Sequence, residues 1–586
     1  MRKHTPLLFA LWCAAIFCSL LFALPFVHGV IADVLARRTD VPYDRWLRRC
    51  ATFRFRPLFL SVSVPLVLLH FFRPSTGSLV PRSGSYPRAV VVSVIAATAV
   101  LSMLLLSMSS PLYAHNLWND ANIIYTVGKG MAHGLLPYRD LYERKGILVY
   151  ALHALGYVIS PDSFTGVYLL ECVAAFFFLL LAYKTVRLYT PRSSLFLVPL
   201  FAAVVYAAWN TKSGDSAEEY CLPLLLYPLY LSLRSLKGGS GFRGRDLFFC
   251  GVCAGCVLWI KFNLVGFFIG WAVFPVAGYA RRGLWRRLAA HSLMFALGAL
   301  AATVPWVCYF GAHGAISDWL GMYLFSNMYK TTRFLDGNTQ PLAKKAARLC
   351  FFYVRYVPKM VHYDIHLFFL ALTSALFLWR RERREVSLHV ACAAAATYFF
   401  AYFGGAWERY YSVVFDVFYV FALVPLHEAL LPLWRASGAR SREARAIAAV
   451  AVSVAFVVYA VSCYRFIGFM AFKRELLPQH EFAEIMDSYP GSTVLTYKFM
   501  DRGFYTIAHR LPPYRFFFLM GPNSESEEHV RLTEEWVLGG NADFLVTEDE
   551  RPDIPGYTVV ASSPLRVDYG NYFEDSVYYL YRRDGL

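Results

Sequence analysis

Residues 89–108 read AVVVSVIAATAVLSMLLLSM, a run of apolar and small residues without a single charged side chain. A helix needs roughly 20 such residues to cross the hydrocarbon core of a bilayer. Lipid offers no hydrogen-bond partner to a bare backbone, so only helices and closed barrels span a membrane. The run lacks the two-residue alternation of a barrel strand, and it therefore predicts a transmembrane helix.

Similar apolar blocks recur along the 586 residues. Hydrophobic residues make up 57% of the chain and charged residues 17%, whereas a soluble domain is about 45–50% apolar. The blocks begin near Leu7, Pro57, Ala89, Phe164, Ser194, Tyr220, Leu247, Phe262, Ala289, Asp364, Ser387, Tyr410 and Ala446. We predict a multi-pass α-helical membrane protein of about 13 helices. A shorter apolar helix after Gly146 would only dip into the bilayer.

The net charge of +17 does not indicate a nucleic-acid partner, because the Lys and Arg residues lie mostly in short loops between apolar blocks. Such loops orient a membrane protein by staying in the cytoplasm. The basic loops are residues 184–192, 234–245, 281–287, 380–384 and 435–445. Placing them inside puts residues 113–148, 211–219, 311–363, 404–409 and the chain after Met470 outside. Seven arginines between Arg37 and Arg56 conflict with simple alternation, so the topology of the first two blocks stays open.

The composition divides the chain into three parts. We predict N-terminal membrane helices with a basic loop over residues 1–88, a transmembrane catalytic domain over 89–469 and an α/β domain outside the cytoplasm over 470–586. In the last part, short strands are predicted at Thr493–Tyr497, Phe544–Thr547, Tyr557–Val560 and Val577–Tyr581, and helices at Glu481–Ser488 and Glu528–Leu538. Alternating strands and helices are typical of a small α/β domain. This part contains no cysteine, which argues against a disulfide scaffold.

Residues 118–146, WNDANIIYTVGKGMAHGLLPYRDLYERKG, crowd acids and cations between two apolar helices. Asn119-Asp120, the GLLPYRD of residues 134–140 and the ERKG of residues 143–146 resemble the first extracytoplasmic loop of the GT-C superfamily of membrane glycosyltransferases. Protein O-mannosyltransferases, aminoarabinose transferases and arabinofuranosyltransferases belong to it. Residues 214–220 and 261–263 share the likeness. The family often has Asp where Glu143 stands.

The resemblance implies an enzyme of the plasma membrane that moves a sugar from a polyprenyl-phosphate carrier to a cell-envelope glycan or lipid acceptor outside the cytoplasm. Asp120 matches the acid that takes the proton of the acceptor hydroxyl, and direct displacement would invert the anomeric centre. Cations must hold the phosphate of the leaving group, and the candidates are Arg144, Lys145, Lys261 and Arg409. Residues that contact sugar or acceptor, or that order the loop, are Asn119, Tyr138, Asp140, Glu143, Glu218 and Glu219.

No metal motif is evident and no cofactor is required, although a divalent cation bridging the phosphate to Asp or Glu stays open. For Lys261 the alternative is snorkelling to the interface, and for Arg409 a structural pair with Glu408. The aromatic residues of segment 317–333 are predicted to form an interfacial belt rather than a lipid groove. In related enzymes the C-terminal domain helps to grip the acceptor, which is a hypothesis for residues 470–586.

Three other functions compete with the transferase: a flippase or transporter of a lipid-linked saccharide, an O-antigen-type polymerase or ligase, and a scaffold with a decayed site. A flippase needs ionisable residues spread through several helices, whereas here they concentrate on one side of the membrane. Polymerases and ligases usually centre on a late loop rich in Arg and His, whereas the acidic signal here lies in the first loop. Acid and cation features in several loops argue against a decayed site.

Overall fold

The computed structural model describes residues 25–38, 86–190, 192–211, 213–238, 241–330, 354, 365–402, 408–428, 464, 466–519, 527–568 and 573–586. The predicted blocks near Pro57 and Ala446, most of the block near Leu7 and most of the basic N-terminal loop lie outside these residues.

Helices dominate the described part of the chain. The α-helices are α1 Pro25–Ala36, α2 Arg88–Leu106, α3 Asn119–Ala132, α4 Ile147–Ile159, α5 Thr165–Val186, α6 Leu197–Tyr206, α7 Ala217–Gly238, α8 Gly244–Ile260, α9 Gly266–Arg281, α10 Trp285–Ala312, α11 Ile316–Leu320, α12 Ile365–Arg381, α13 Arg384–Tyr402, α14 Asp416–Tyr419, α15 Pro478–Asp487, α16 Phe504–Ile507 and α17 Glu527–Leu538. Short 3₁₀ helices at Phe262–Val265 and Arg409–Phe415, and a π-helix at Gly321–Lys330, flank the site described below.

The helical part confirms a multi-pass membrane protein. Five helical segments among the described residues are long and apolar enough to cross a bilayer: Arg88–Leu106, Thr165–Val186, Phe262–Arg281, Trp285–Ala312 and Arg409–Glu428. Helix α4 has 13 residues, which at 1.5 Å per residue is about 20 Å and too short to span. It has the length predicted for a helix that only enters the membrane.

The bundle packs around α5, which contacts α2, α4 and α7. Two further helix pairs pack together, α8 with α10 and α9 with α13. The backbones of α8 and α10 touch at Gly251 and Gly298. Small residues at such contacts are typical of membrane helices, because lipid provides little other drive for association.

A four-stranded sheet forms the C-terminal part, with strands β1 Val494–Thr496, β2 Phe544–Glu548, β3 Tyr557–Asp568 and β4 Phe573–Arg583 in the order β1-β2-β4-β3. The β1–β2 pair is parallel, and the pairs of β4 with β2 and β3 are antiparallel. The described residues of 478–586, called here the sheet domain, confirm the predicted α/β character.

Strands β3 and β4 are longer than predicted. The sequence Ser562-Ser563-Pro564 has the composition of a turn, but in the structure it continues β3 as an edge strand paired only with β4. Proline is tolerated at such an edge because its nitrogen can face away from the ladder. The buried Tyr578 and Leu580 of β4 fill the domain core.

Candidate functional site

Asp120 occupies the first turn of α3, where the helix dipole favours a negative charge. Its Oδ2 accepts a hydrogen bond from the Tyr410 hydroxyl at 3.0 Å and lies 3.6 Å from Lys145 Nζ. The carboxylate is 14% exposed, so a reactant can reach it. Asn119, the preceding residue, begins the helix.

Glu143 and Lys145 form the other side of this acid–cation group. Lys145 Nζ lies 3.5 Å from Glu143 Oε1, and Glu143 Oε2 accepts from the Lys145 backbone N–H at 2.7 Å and from the Tyr150 hydroxyl. Burial works against the charge of Lys145, but Asp120 and Glu143 raise its pKa above the ordinary value. Lys145 is therefore a fixed cation, and Glu143 orders the turn that carries it.

Lys261 lies between the end of α8 at Ile260 and the 3₁₀ helix at Phe262–Val265, at a break in the helical backbone. Its ammonium forms an ion pair with Glu218, which is 1% exposed. The same ammonium lies 3.6 Å from the ring centre of Tyr411 and 5.5 Å from that of Tyr410. Tyr410 thus contacts both Asp120 and Lys261. The Lys261 ammonium pairs with a buried acid and does not extend to the membrane interface.

The other predicted cations and acids lie around this centre. Arg409 is the first residue of a 3₁₀ helix, and its guanidinium lies 4.7 Å from the ring centre of Trp209. The Arg144 carbonyl accepts a hydrogen bond from Asn327 Nδ2 at 2.8 Å, which fixes the loop to the π-helix. Glu219 is buried, and its Oε1 has no hydrogen-bond partner among the described residues.

Two predicted residues order the loop. Tyr138 is fully buried with a left-handed φ of 72°, and its hydroxyl donates to the Lys145 carbonyl at 2.8 Å. Asp140 accepts from the Leu136 backbone N–H at 2.8 Å and pairs with Arg139 at 3.0 Å. These contacts fold residues 136–145 into a fixed turn behind the acid–cation group.

A buried polar network next to the site was not predicted. Both carboxylate oxygens of Glu171 accept from the Ser107 hydroxyl, and Glu171 Oε1 also accepts from the Asp215 backbone N–H at 2.7 Å. Asp215 in turn pairs with His153 Nε2 at 3.0 Å and accepts from the Tyr220 hydroxyl at 3.1 Å. Glu171 and His153 lie within apolar helices, where an ionisable residue is costly. An ionisable residue within an apolar stretch of the sequence was therefore the signal that could have revealed this network.

Gly214 gives this network a sharp test. Its φ is +81°, and a Cβ there would lie 2.4 Å from Ser107 Oγ and 2.9 Å from Glu171 Oε1. We expect Gly214→Ala to lower the free energy of unfolding by about 1–2 kcal/mol, because an alanine is strained in the left-handed conformation. Its Cβ should in addition displace the Ser107–Glu171 contact. Gly134→Ala is the matched control, because Gly134 has a φ of +86° with open space around its Cβ position. Thermal unfolding in detergent should rank wild type, Gly134→Ala and Gly214→Ala in falling order; equal midpoints for the two variants would contradict the expectation.

The predicted aromatic belt at residues 317–333 is wrong for two of its members. Trp319 and Tyr323 are each 1% exposed. Trp319 lies 4.5 Å from the ring centre of Trp259 and 4.9 Å from that of Phe310. They pack inside the protein because α11 and the π-helix fold back against α8, whereas Phe325 remains exposed.

Within the described ranges, no group of three or more His, Cys, Asp or Glu side chains is arranged to hold a metal ion. The site combines the partly exposed Asp120 carboxylate with the ammonium groups of Lys145 and Lys261, the rings of Tyr410 and Tyr411, and the buried acids Glu143 and Glu218.

Comparison with known proteins gives a partial sequence match and a match over most of the fold. Residues 144–309 match the family described as dolichyl-phosphate-mannose-protein mannosyltransferase. No curated protein sequence matches the chain. The crystal structure of ArnT from Cupriavidus metallidurans bound to undecaprenyl phosphate superimposes with a TM-score of 0.54 at 13% identity, covering 84% of this chain and 98% of that one. Its apo form gives a TM-score of 0.53, also at 13% identity and with the same coverage. The predicted resemblance to the GT-C superfamily and its fold is confirmed.

Proposed function

We propose that this chain, which has the GT-C fold of membrane glycosyltransferases, transfers a sugar from a polyprenyl-phosphate carrier to a cell-envelope glycan or lipid acceptor outside the cytoplasm. The observation that carries the proposal is the 3.6 Å approach of Lys145 to the partly exposed Asp120 carboxylate, beside the Lys261–Glu218 pair. This arrangement combines a proton acceptor with cations for a phosphate. The undecaprenyl phosphate bound to ArnT supports the choice of carrier.

In the proposed reaction Asp120 is the general base. The acceptor hydroxyl attacks the anomeric carbon, its O–H bond breaks, and the proton passes to the carboxylate. The Tyr410 hydroxyl donates to Oδ2, which fixes the orientation of the carboxylate. Attack opposite the leaving phosphate inverts the anomeric centre.

Cations supply the second half of the chemistry. The bond from the anomeric carbon to the phosphate oxygen breaks, and its electron pair leaves with the polyprenyl phosphate. Charge grows on that oxygen, and fixed cations in a site of low water content stabilise it. We assign this role to Lys145, Lys261, Arg144 and Arg409, with Asn119 and Glu218 nearest to the sugar and acceptor. Tyr138, Asp140, Glu143 and Glu219 shape the site from behind.

The basic loops support the side of the membrane that we propose. The site lies on loops that alternate with the Lys- and Arg-rich segments, which the positive-inside rule assigns to the cytoplasm. The proposed reaction therefore takes place on the far face, where a lipid-borne donor is available and a nucleotide sugar is not.

The experiment is transfer of labelled sugar by the purified protein from a panel of polyprenyl-phosphate sugars, with flipping of lipid-linked saccharide in liposomes measured in parallel. We expect product with at least one donor, with the opposite anomeric configuration. Flipping without transfer would overturn the proposal in favour of a flippase.

We further propose that the transfer needs no resident metal, since the side-chain cations can carry the phosphate charge. Incubation with EDTA is then expected to leave the rate of sugar transfer unchanged. A loss that added Mg²⁺ or Mn²⁺ restores would assign a divalent cation to the phosphate.

A further inference from the structure

The C-terminal sheet domain contacts the loop that carries Asp120 at two separate places. The first is at Lys129 on α3, which is 3% exposed. Its ammonium donates to the backbone carbonyls of Tyr505 and Arg510 at 3.1 and 3.0 Å. Burying an ammonium costs free energy unless it is hydrogen-bonded. These two carbonyls therefore stabilise the contact between α3 and the sheet domain.

Beside this contact, the turn before α16 is embedded in the loop. Gly503 has a φ of +102°, and a Cβ there would lie 1.9 Å from His115 Nε2 and 2.9 Å from Asn122 Oδ1. A side chain at position 503 would therefore separate the domain from α3. The Asp501 carboxylate accepts from the Phe504 backbone N–H at 2.9 Å and keeps the turn closed.

The second contact is at the other end of the loop. Arg515 Nη2 donates to the Tyr138 carbonyl at 3.0 Å, and the Tyr142 backbone N–H donates to the Arg515 carbonyl at 2.9 Å. The rings of Phe516 and His529 pack against Tyr142 at 5.2 and 4.6 Å between ring centres.

A short series of direct contacts connects the sheet domain to the proposed reacting groups. Tyr138, held by Arg515, donates its hydroxyl hydrogen to the Lys145 carbonyl, and Lys145 approaches Asp120. Lys129 lies on the same helix as Asp120, about 13 Å further along at 1.5 Å per residue. The sheet domain thus fixes the loop on both sides of the proposed base and phosphate cation.

We infer that the sheet domain positions the catalytic loop, with Lys129 and Arg515 as positioning residues, and does not serve only to grip the acceptor. The inference rests on the proposed function for the roles of Asp120 and Lys145. The two roles of the domain have different kinetic effects. Loss of a positioning contact lowers kcat, because a small misplacement of catalytic groups lowers the rate up to about 10²-fold. A domain that only grips the acceptor acts on the acceptor KM.

The test uses the full chain with Lys129→Met and Arg515→Met, assayed at pH 6.5. Burial lowers the pKa of Lys129 to about 8, so its ammonium is charged in the wild type at that pH. Each variant is expected to lower kcat by about tenfold or more, with unchanged donor affinity and acceptor KM. Lys129→Arg, which retains the charge and two donors, should recover part of the rate.

Matched controls come from exposed ion pairs of the same domain. Lys498→Met removes a lysine that pairs with Glu534, and Arg566→Met removes an arginine that pairs with Asp575. Both are expected to keep the wild-type kcat. A raised acceptor KM with unchanged kcat in Lys129→Met and Arg515→Met would overturn the inference in favour of acceptor gripping, and wild-type kinetics in both would overturn it outright.

Hydrogen exchange distinguishes a failure of the inference from a failure of the proposed function. The amides of α3 are expected to exchange faster in Lys129→Met than in wild type or Lys498→Met, whether or not a donor has been found. Unchanged α3 exchange would overturn the positioning role even if Asp120 proved to be the base. Faster exchange without transfer from any donor would support the positioning of the loop and reject the transferase.

Discussion

Asp120→Asn is expected to abolish most turnover while sparing donor binding. The amide keeps the size of the side chain and can still accept from Tyr410, but it cannot take the proton of the acceptor hydroxyl. General-base catalysis contributes about 10²–10⁴-fold, and we expect a loss in that range in kcat. The measurement is transfer of labelled sugar under saturating donor, with donor affinity determined separately.

The pairing of Asp120 with Lys145 makes a second variant necessary. Removing the negative charge also changes the surroundings of Lys145, which is 3.6 Å away. Asp120→Glu keeps the charge and moves the carboxylate, so it should retain more activity than Asn. Normal turnover in Asp120→Asn would contradict the assignment and move Glu143 or Glu219 forward as the base.

Lys261→Met is expected to have the second largest effect, on both rate and stability. Loss of a cation at the leaving phosphate should lower kcat about 10²–10³-fold. Glu218, which is 1% exposed, would be left as a buried charge without its ammonium partner, and breaking a buried pair in this way is strongly destabilising. The double variant Glu218→Gln/Lys261→Met should regain thermal stability without regaining turnover.

Lys237 provides the control for this experiment. It pairs with Glu382 at 3.3 Å, with side-chain exposures of 18% and 5%, close to the 20% and 1% of Lys261 and Glu218. Lys237 lies in the last turn of α7, whereas Glu218 lies in the first turn of the same helix, so the control pair is at the opposite end of α7 from the site. Lys237→Met should lower the unfolding temperature and leave the turnover of the folded protein unchanged. If both lysine variants reduced turnover equally, Lys261 would be a structural residue only.

The sequence predicted the parts of the site that depend on local pattern. Asp120 was identified because Asn119-Asp120 resembles the first extracytoplasmic loop of the GT-C superfamily, and Lys261 because residues 261–263 share that likeness. Both likenesses rest on a few adjacent residues, which can be recognised without knowledge of the fold. The strands of the sheet domain were also predicted from local pattern, although β3 and β4 extend further than predicted.

The contacts that assemble the site could not be predicted in this way. Tyr410 lies 290 positions from Asp120, and Glu218 lies 43 positions from Lys261. No periodicity relates such residues, since only the packing of α3, α7, α8 and the 3₁₀ helix at Arg409–Phe415 brings them together. The Glu171–Asp215 network was missed because its members are spread over three helices and two loops.

The Lys129 contacts also bear on how the protein is made. The carbonyls that receive its ammonium belong to residues 376 and 381 positions later in the chain. At ribosomal speeds of about 5–20 residues per second, this delay is roughly 20–75 s. During that interval α3 has been synthesised, but its ammonium has no carbonyl partner from the sheet domain. The nascent chain therefore cannot make these two hydrogen bonds before residue 510 has emerged, and a product that stalls earlier would lack this contact on α3.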